Sequence, residues 1–164
     1  MVLTGMDGSD EIYSATSGRT WMIGGGVSQT EDFDILTGHQ GSNDYFDLRR
    51  ESIDGSWTDA YDTGHAKINN FDDSEDNIVV SGSSSQYEVR KIVNQVTKGN
   101  GKKVVSYEFY FEIYNSSSGD LISEVFSSTF GDQTMTSAIT DKFIYSNQGP
   151  MDLLFPDQDS LTVA

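Results

Sequence analysis

Two rhythms of apolar and polar residues divide this chain. In the first half, short apolar strands alternate with turns dense in glycine and acid. Residues 5–10 lead into Glu11-Ile12-Tyr13, residues 17–20 into Trp21-Met22-Ile23, residues 24–31 into Asp32-Phe33-Asp34-Ile35-Leu36, and residues 38–44 into Tyr45-Phe46-Asp47-Leu48. Because side chains alternate across a strand, Ile12, Met22, Leu36 and Phe46 take the inward positions of four short strands, at spacings of ten, fourteen and ten. In the second half the strands lengthen. Residues 87–93 and 104–114 alternate regularly, and Tyr107, Phe109, Phe111 and Ile113 share one face. Hairpin-like turns at residues 98–102 and 115–120, with a strand at 121–126 after the second, predict an antiparallel meander. Residues 133–140 read as a short helix or a turn and residues 142–145 as a strand, while Pro150 and Pro156 interrupt regular structure near the C-terminus.

The turns carry the candidate chemistry. Residues 5–13 fit G-x-x-G-x-D-x-U-x, with U apolar, which is a nine-residue parallel β-roll repeat lacking one glycine. Glycine permits positive φ and lets the backbone close tightly, and aspartate offers a hard oxygen. Calcium takes six to eight oxygens, so a single turn cannot saturate it and a stacked turn must contribute. Residues 36–48 hold a related turn. Residues 24–38 are a degenerate copy with an inserted stretch, and residues 17–23 keep a glycine and Met22 but place Thr20 where the aspartate belongs.

Residues 66–80, Ala-Lys-Ile-Asn-Asn-Phe-Asp-Asp-Ser-Glu-Asp-Asn-Ile-Val-Val, resemble the D-x-I-x-D-F-x-x-x-x-D-x-I found after the roll in secreted haemolysin-type proteins. On these two motifs, in this order, residues 3–80 resemble the RTX, or haemolysin-type calcium-binding, family. Asn70 stands where the family has aspartate before phenylalanine, and Thr20 removes one ligand, so the number of ions stays open.

The resemblance implies a short, irregular parallel β-roll over residues 1–80; with the antiparallel meander read from alternation over residues 81–164 as its cap, the expected fold is all-β. It implies folding coupled to Ca2+ and export by a type I system that reads an uncleaved C-terminal signal, for which residues 157–164 have a suitable small, hydroxylated and apolar composition. With two repeats per full coil, the first turn stacks on the third and the second on the fourth, so Asp10 and Asp34 would share an ion. The full set of candidate ligands is Asp7, Gly8, Asp10, Asp32, Asp34, Gly41, Asn43, Asp44, Asp72 and Asp76, with Gly5 and Gly25 helping to shape the turns.

Charge sharpens this picture. The chain has a formal charge of −16, which excludes nucleic acid and anionic membranes as natural partners and favours cations. The acid lies mostly in the first half, with 16 Asp and Glu against 4 Lys and Arg in residues 1–80, and the composition shifts near residues 81–85. Carboxylates on turns stacked about 4.8 Å apart repel by roughly 3 kcal/mol per pair at an effective dielectric near 20, so a roll without cations is expected to be unstable. The bland alternative stays open beside it: Gly, Asp, Asn and Ser dominate ordinary solvated turns for backbone reasons alone, and residues 71–76 fit a solvated acidic turn as well as a ligand loop.

Other chemistries find little support. The chain has no cysteine, hence no disulfide or thiolate zinc site. His39 and His65 lack zinc-site spacing, no G-x-S-x-G or phosphate-binding loop occurs, and paired carboxylates such as Asp32 and Asp34 read as ligands before acid and base. The expectation is a non-enzyme. No run approaches the roughly 20 apolar residues of a membrane span, and the start of the chain lacks a cleavable-leader pattern, so the expected location is extracellular by the type I route. Trp21, Trp57, Tyr61 and Tyr45 lie near loops, which raises an extracellular polysaccharide or cell surface as an alternative partner; the same rings would also serve to cap a thin roll. Arg49 and Arg50 read as a solvated basic pair.

Overall fold

The computed structural model of the 164-residue chain describes residues 1–5, 8–15, 18–25, 32–61, 64–98 and 104–150. Asp7, most of the expected turn at residues 98–102 and the tail at residues 157–164 lie outside them.

The protein is all-β. Strands β1 (Val2–Thr4), β2 (Glu11–Tyr13), β3 (Arg19–Ile23), β4 (Phe33–Thr37) and β5 (Asn43–Asp47) precede the hairpin β6 (Arg49–Glu51) and β7 (Trp57–Asp59), then β8 (His65–Asn69) and β9 (Asn77–Val80). Next come the long strands β10 (Tyr87–Lys98) and β11 (Val104–Asn115), then β12 (Leu121–Phe126), a one-turn helix α1 (Ser137–Thr140) and β13 (Phe143–Tyr145). Among the described residues no helix is long and apolar enough to cross a membrane.

Two sheets hold most of these strands. One has the order β1-β3-β5-β9-β13 with every neighbouring pair parallel. The other has the order β10-β11-β12-β8-β4-β2, in which β2, β4, β8 and β12 are parallel and β10 and β11 are antiparallel additions. From β1 to β5 the chain crosses to the opposite sheet at every step. The meander of the second half is the β10–β11–β12 segment; β12 then lies parallel to β8 and β13 parallel to β9, so the second half extends both sheets.

The inward columns arise from period-two alternation. Ile12, Leu36, Ile68 and Val125 are aligned across one sheet, and Leu3, Met22, Phe46, Ile78 and Phe143 across the other. Met22, Leu36 and Phe46 are fully buried and Ile12 nearly so, as their positions predicted, and Ile68 and Ile78 are fully buried beside them. Burial of each such side chain contributes about 1.5–3 kcal/mol. Phe71, Phe130 and Phe111 continue this core in a chain of ring contacts from Phe46. Tyr107, on the face of Phe111 and Ile113, is instead 59% exposed, because β12 pairs only with the Tyr110–Tyr114 end of β11.

The outer face of the five-stranded sheet is covered as well, which corrects two sequence expectations. Trp21 is buried and stacks on Tyr45 with ring centroids 4.7 Å apart, and Trp57 packs against the same cluster. Tyr61 is buried in the main core. Neither Trp21 nor Tyr61 can stack on a sugar. Arg49 and Arg50 are buried rather than solvated, Arg49 beneath Trp57 of the hairpin and residues 146–148.

Candidate metal centre

Parallel pairing brings the acidic turns into two stacks. In the first, β2 and β4 are aligned so that Asp10 lies beside Asp34, which places the first turn on the third as the repeat predicts. The contact is made through the backbone: the Asp10 amide donates to Asp34 Oδ1 at 2.9 Å and the Gly8 amide to Asp32 Oδ1 at 3.2 Å. Tyr61, which the sequence did not mark as a ligand, donates its hydroxyl to Asp34 Oδ2 at 2.6 Å. Asp34 is fully buried. Burial pushes its carboxyl above the usual range, the hydrogen bonds from Tyr61 and Asp10 pull it back, and the charges of Asp10 and Asp32 add to the upward push.

The second stack sits on the five-stranded sheet. Thr20 is aligned with Asp44, and Asp76, just before the neighbouring strand β9, lies next to Asp44. Asp76 Oδ1 accepts from the Asp44 amide and Oδ2 from the Asp72 amide, both at 2.9 Å. Asp44 Oδ2 accepts from the His39 amide at 2.9 Å and the Ser42 hydroxyl at 2.7 Å. Asp44 Oδ1 and Asn43 Oδ1, by contrast, are buried without a hydrogen-bond partner. Burial raises the Asp76 carboxyl to about 7, against two amide hydrogen bonds, with the charges of Asp44 and Asp72 contributing in the same direction. Asp72 is held below the usual range by the Ser74 hydroxyl and amide.

Glycine shapes these turns where the repeat requires it. Gly8 has φ of +102° and Gly41 φ of +79°, conformations that an L side chain rarely adopts. Gly24 is required for space: a Cβ there would stand 2.5 Å from both Asp34 Oδ2 and the Tyr61 hydroxyl. Gly24→Ala is therefore expected to cost about 1–3 kcal/mol through overpacking, read as an earlier midpoint in urea denaturation; an unchanged midpoint would mean that the Asp34 carboxylate has room to move.

The donors suit a hard cation. They are carboxylate and amide oxygens, and one carboxylate oxygen is buried with nothing to neutralise it. Among the described residues no group of three or more His, Asp or Glu side chains converges on one point, so a bound ion would draw further ligands from backbone carbonyls and water. The structure reorders the candidates. Both oxygens of Asp34 are engaged, whereas Asp44 and Asn43 each keep an oxygen unmatched. The expected repulsion between stacked turns is also partly offset, because Asp34 and Asp76 each reach across to a backbone N–H of the neighbouring turn.

The other sequence candidates are dispersed. His65 stands 3.6 Å from Glu124 with its ring edge-on to Phe33, and the His39 side chain is exposed, only its backbone amide serving Asp44. Asp32 and Asp34 lie two residues apart at the entry to one strand, with Asp34 tied to Tyr61. No family model matches the chain, and no curated protein matches it in sequence.

Proposed function

We propose that this chain is a secreted, non-enzymatic calcium-binding module of the RTX, or haemolysin-type, kind: a short, irregular parallel β-roll whose folding is coupled to Ca2+. The observation that carries this reading is the buried, unpartnered Asp44 Oδ1 within a stack of acidic turns. A buried polar atom without a partner costs about 1–3 kcal/mol, more when charged, and a divalent cation would remove that cost. Asp44 and Gly41 would supply one side of the ion, Asp76 and Asp72 the other, while the Asn43 side chain starts from the opposite face of β5. Asp10, Asp34, Asp32 and Gly8 would form a second, weaker site. The order of the sequence motifs, the charge of −16 and the alternation of parallel strands between two sheets support the same reading. Extracellular location and type I export rest on the resemblance alone.

Calcium titration of the whole chain by calorimetry, with thermal melts in calcium and in chelator, tests it. Saturable binding is expected, with stabilisation of about 2.7 kcal/mol at a hundredfold excess over Kd, a rise in Tm on the order of 5–10 °C. Asp44→Asn should weaken that binding more than Asp34→Asn. Flat calorimetry with identical melts would overturn the proposal. A second reading, a calcium-stabilised module that binds carbohydrate or a cell surface, is favoured by an open polar groove on the six-stranded sheet.

A further inference from the structure

Where β11 runs past the end of β12, it leaves an open groove of about 530 Å3 against the outer face of the six-stranded sheet. This size falls within the range of small-ligand sites. The register explains its shape. Tyr13, Thr37 and Asn69 are aligned on β2, β4 and β8, and Phe126 comes next, beside Asn69 on β12. At about 4.8 Å per strand, this row runs across the strands as a straight trough rather than a pit.

The lining has the chemistry of a polyol site. Tyr13 is 61% exposed, and its hydroxyl donates to Glu11 at 3.1 Å, which pins the ring while leaving it open to solvent. Phe126 forms the opposite wall, held by stacking on Tyr110 at 4.6 Å with the Lys67 ammonium 4.7 Å from its ring. Rings fixed in advance lose little freedom on binding. Between these walls lie Asn69, Asn70, Glu108, Phe109, Ser127 and Ser128, with Asn70 Nδ2 bonded to the Gly38 carbonyl and the Ser127 hydroxyl to Thr129. Asn70 has φ of +58°, the one non-glycine residue with positive φ among those described, and such outliers concentrate at functional sites.

We propose that this groove binds a neutral, linear oligosaccharide. A pyranose ring offers an apolar C–H face to an aromatic ring and vicinal hydroxyls to amides and a carboxylate, which is the division of labour found here. An anionic polymer is disfavoured by Glu108 and by the charge of −16, and an apolar ligand by the amides and hydroxyls. The site differs from the loop aromatics that the sequence pointed to, of which Trp21 and Tyr61 are buried. It does not rest on calcium binding, since none of its rings belongs to the acidic turns.

The test is calorimetry on the full chain, in calcium and with circular dichroism confirming the fold, against tetrasaccharides of β-glucan, mannan and xylan, with an oligogalacturonate as anionic control. At least one neutral ligand is expected to bind and the anionic one to fail. Tyr13→Ala and Glu108→Gln, both at exposed positions, should each weaken binding by roughly tenfold or more while leaving the melting temperature in place. A folded protein that binds none of the neutral ligands overturns the inference, as does an affinity indifferent to both substitutions.

Discussion

Arg49→Ala is expected to destabilise the protein by about 3–5 kcal/mol, the cost of removing one partner from a buried ion pair. Arg49 and Asp47 are both fully buried. The Arg49 Nε donates to Asp47 Oδ1 and Nη2 to Oδ2, each at 2.7 Å, and Nη1 donates to the Ser146 and Gln148 carbonyls at 2.7 and 2.9 Å. Its guanidinium also lies 4.9 Å from the centre of the Trp57 ring. The alanine variant thus strands a carboxylate that keeps only Trp21 Nε1 and the residue 49 amide as donors, and it removes the two side-chain bonds to the Ser146 and Gln148 carbonyls, leaving the Ser146 amide bonded to Val80. Burial already pushes the Asp47 carboxyl up, against the hydrogen bonds and charge of Arg49, so removing Arg49 moves it further in the same direction. A fall in Tm on the order of 10 °C is expected. The double variant Asp47→Leu with Arg49→Met should recover much of it, because an apolar pair removes both charges together. A single variant melting with the wild type would show that the pair does not hold this face closed.

This pair also marks the limit of what the sequence discloses. Arg49-Arg50 looks like a solvated spot because arginine is rarely buried without a partner, and nothing local reveals that Asp47, two residues away, is buried with Trp21 on the covered outer face of the sheet to meet it. By contrast, Ile12, Met22, Leu36 and Phe46 were legible because each is the lone apolar residue on the inward face of a short alternating strand. The long-range pairings were not. That β12 would lie against β8 and β13 against β9 depends on segments separated by the whole β10–β11 hairpin, and alternation alone does not distinguish a parallel neighbour from an antiparallel one.

At the candidate site, the acids themselves and the stacking of the first turn on the third were readable from the repeat. The identity of their partners was not. Repulsion between carboxylates can be estimated from spacing, but the compensating donors are backbone amides, at Asp10, Asp44 and Asp72, which carry no mark in the sequence. Tyr61 reaches Asp34 from beyond the β6–β7 hairpin, an insertion that no repeat pattern contains. Hence the sequence favoured Asp10 and Asp34, while unmatched oxygens direct attention to Asn43 and Asp44.

Without calcium, stability is expected to fall as pH rises from about 4 to about 7, by about 2–4 kcal/mol from Asp76 alone, the lower figure allowing for solvent screening of its charge. The folded carboxyl sits at about 7 against an ordinary value of 3.8, so between these values the folded state holds a proton that the unfolded chain has released. The contribution is therefore complete below the unfolded value and lost as pH climbs through the folded one. Asp34, also raised by burial, acts in the same direction; Asp72, lowered by Ser74, acts oppositely, losing its contribution only as pH falls below the ordinary carboxylate range. A divalent cation at Asp44 and Asp76 competes with that proton, so calcium should bind more tightly as pH rises through the same window and flatten the decline. Urea denaturation in chelator between about pH 4 and pH 7 measures the slope, and Asp76→Asn should remove most of it. Equal slopes in the variant and the wild type would mean that Asp76 is already ionised in the folded chain, with its two backbone amides sufficient to hold the charge.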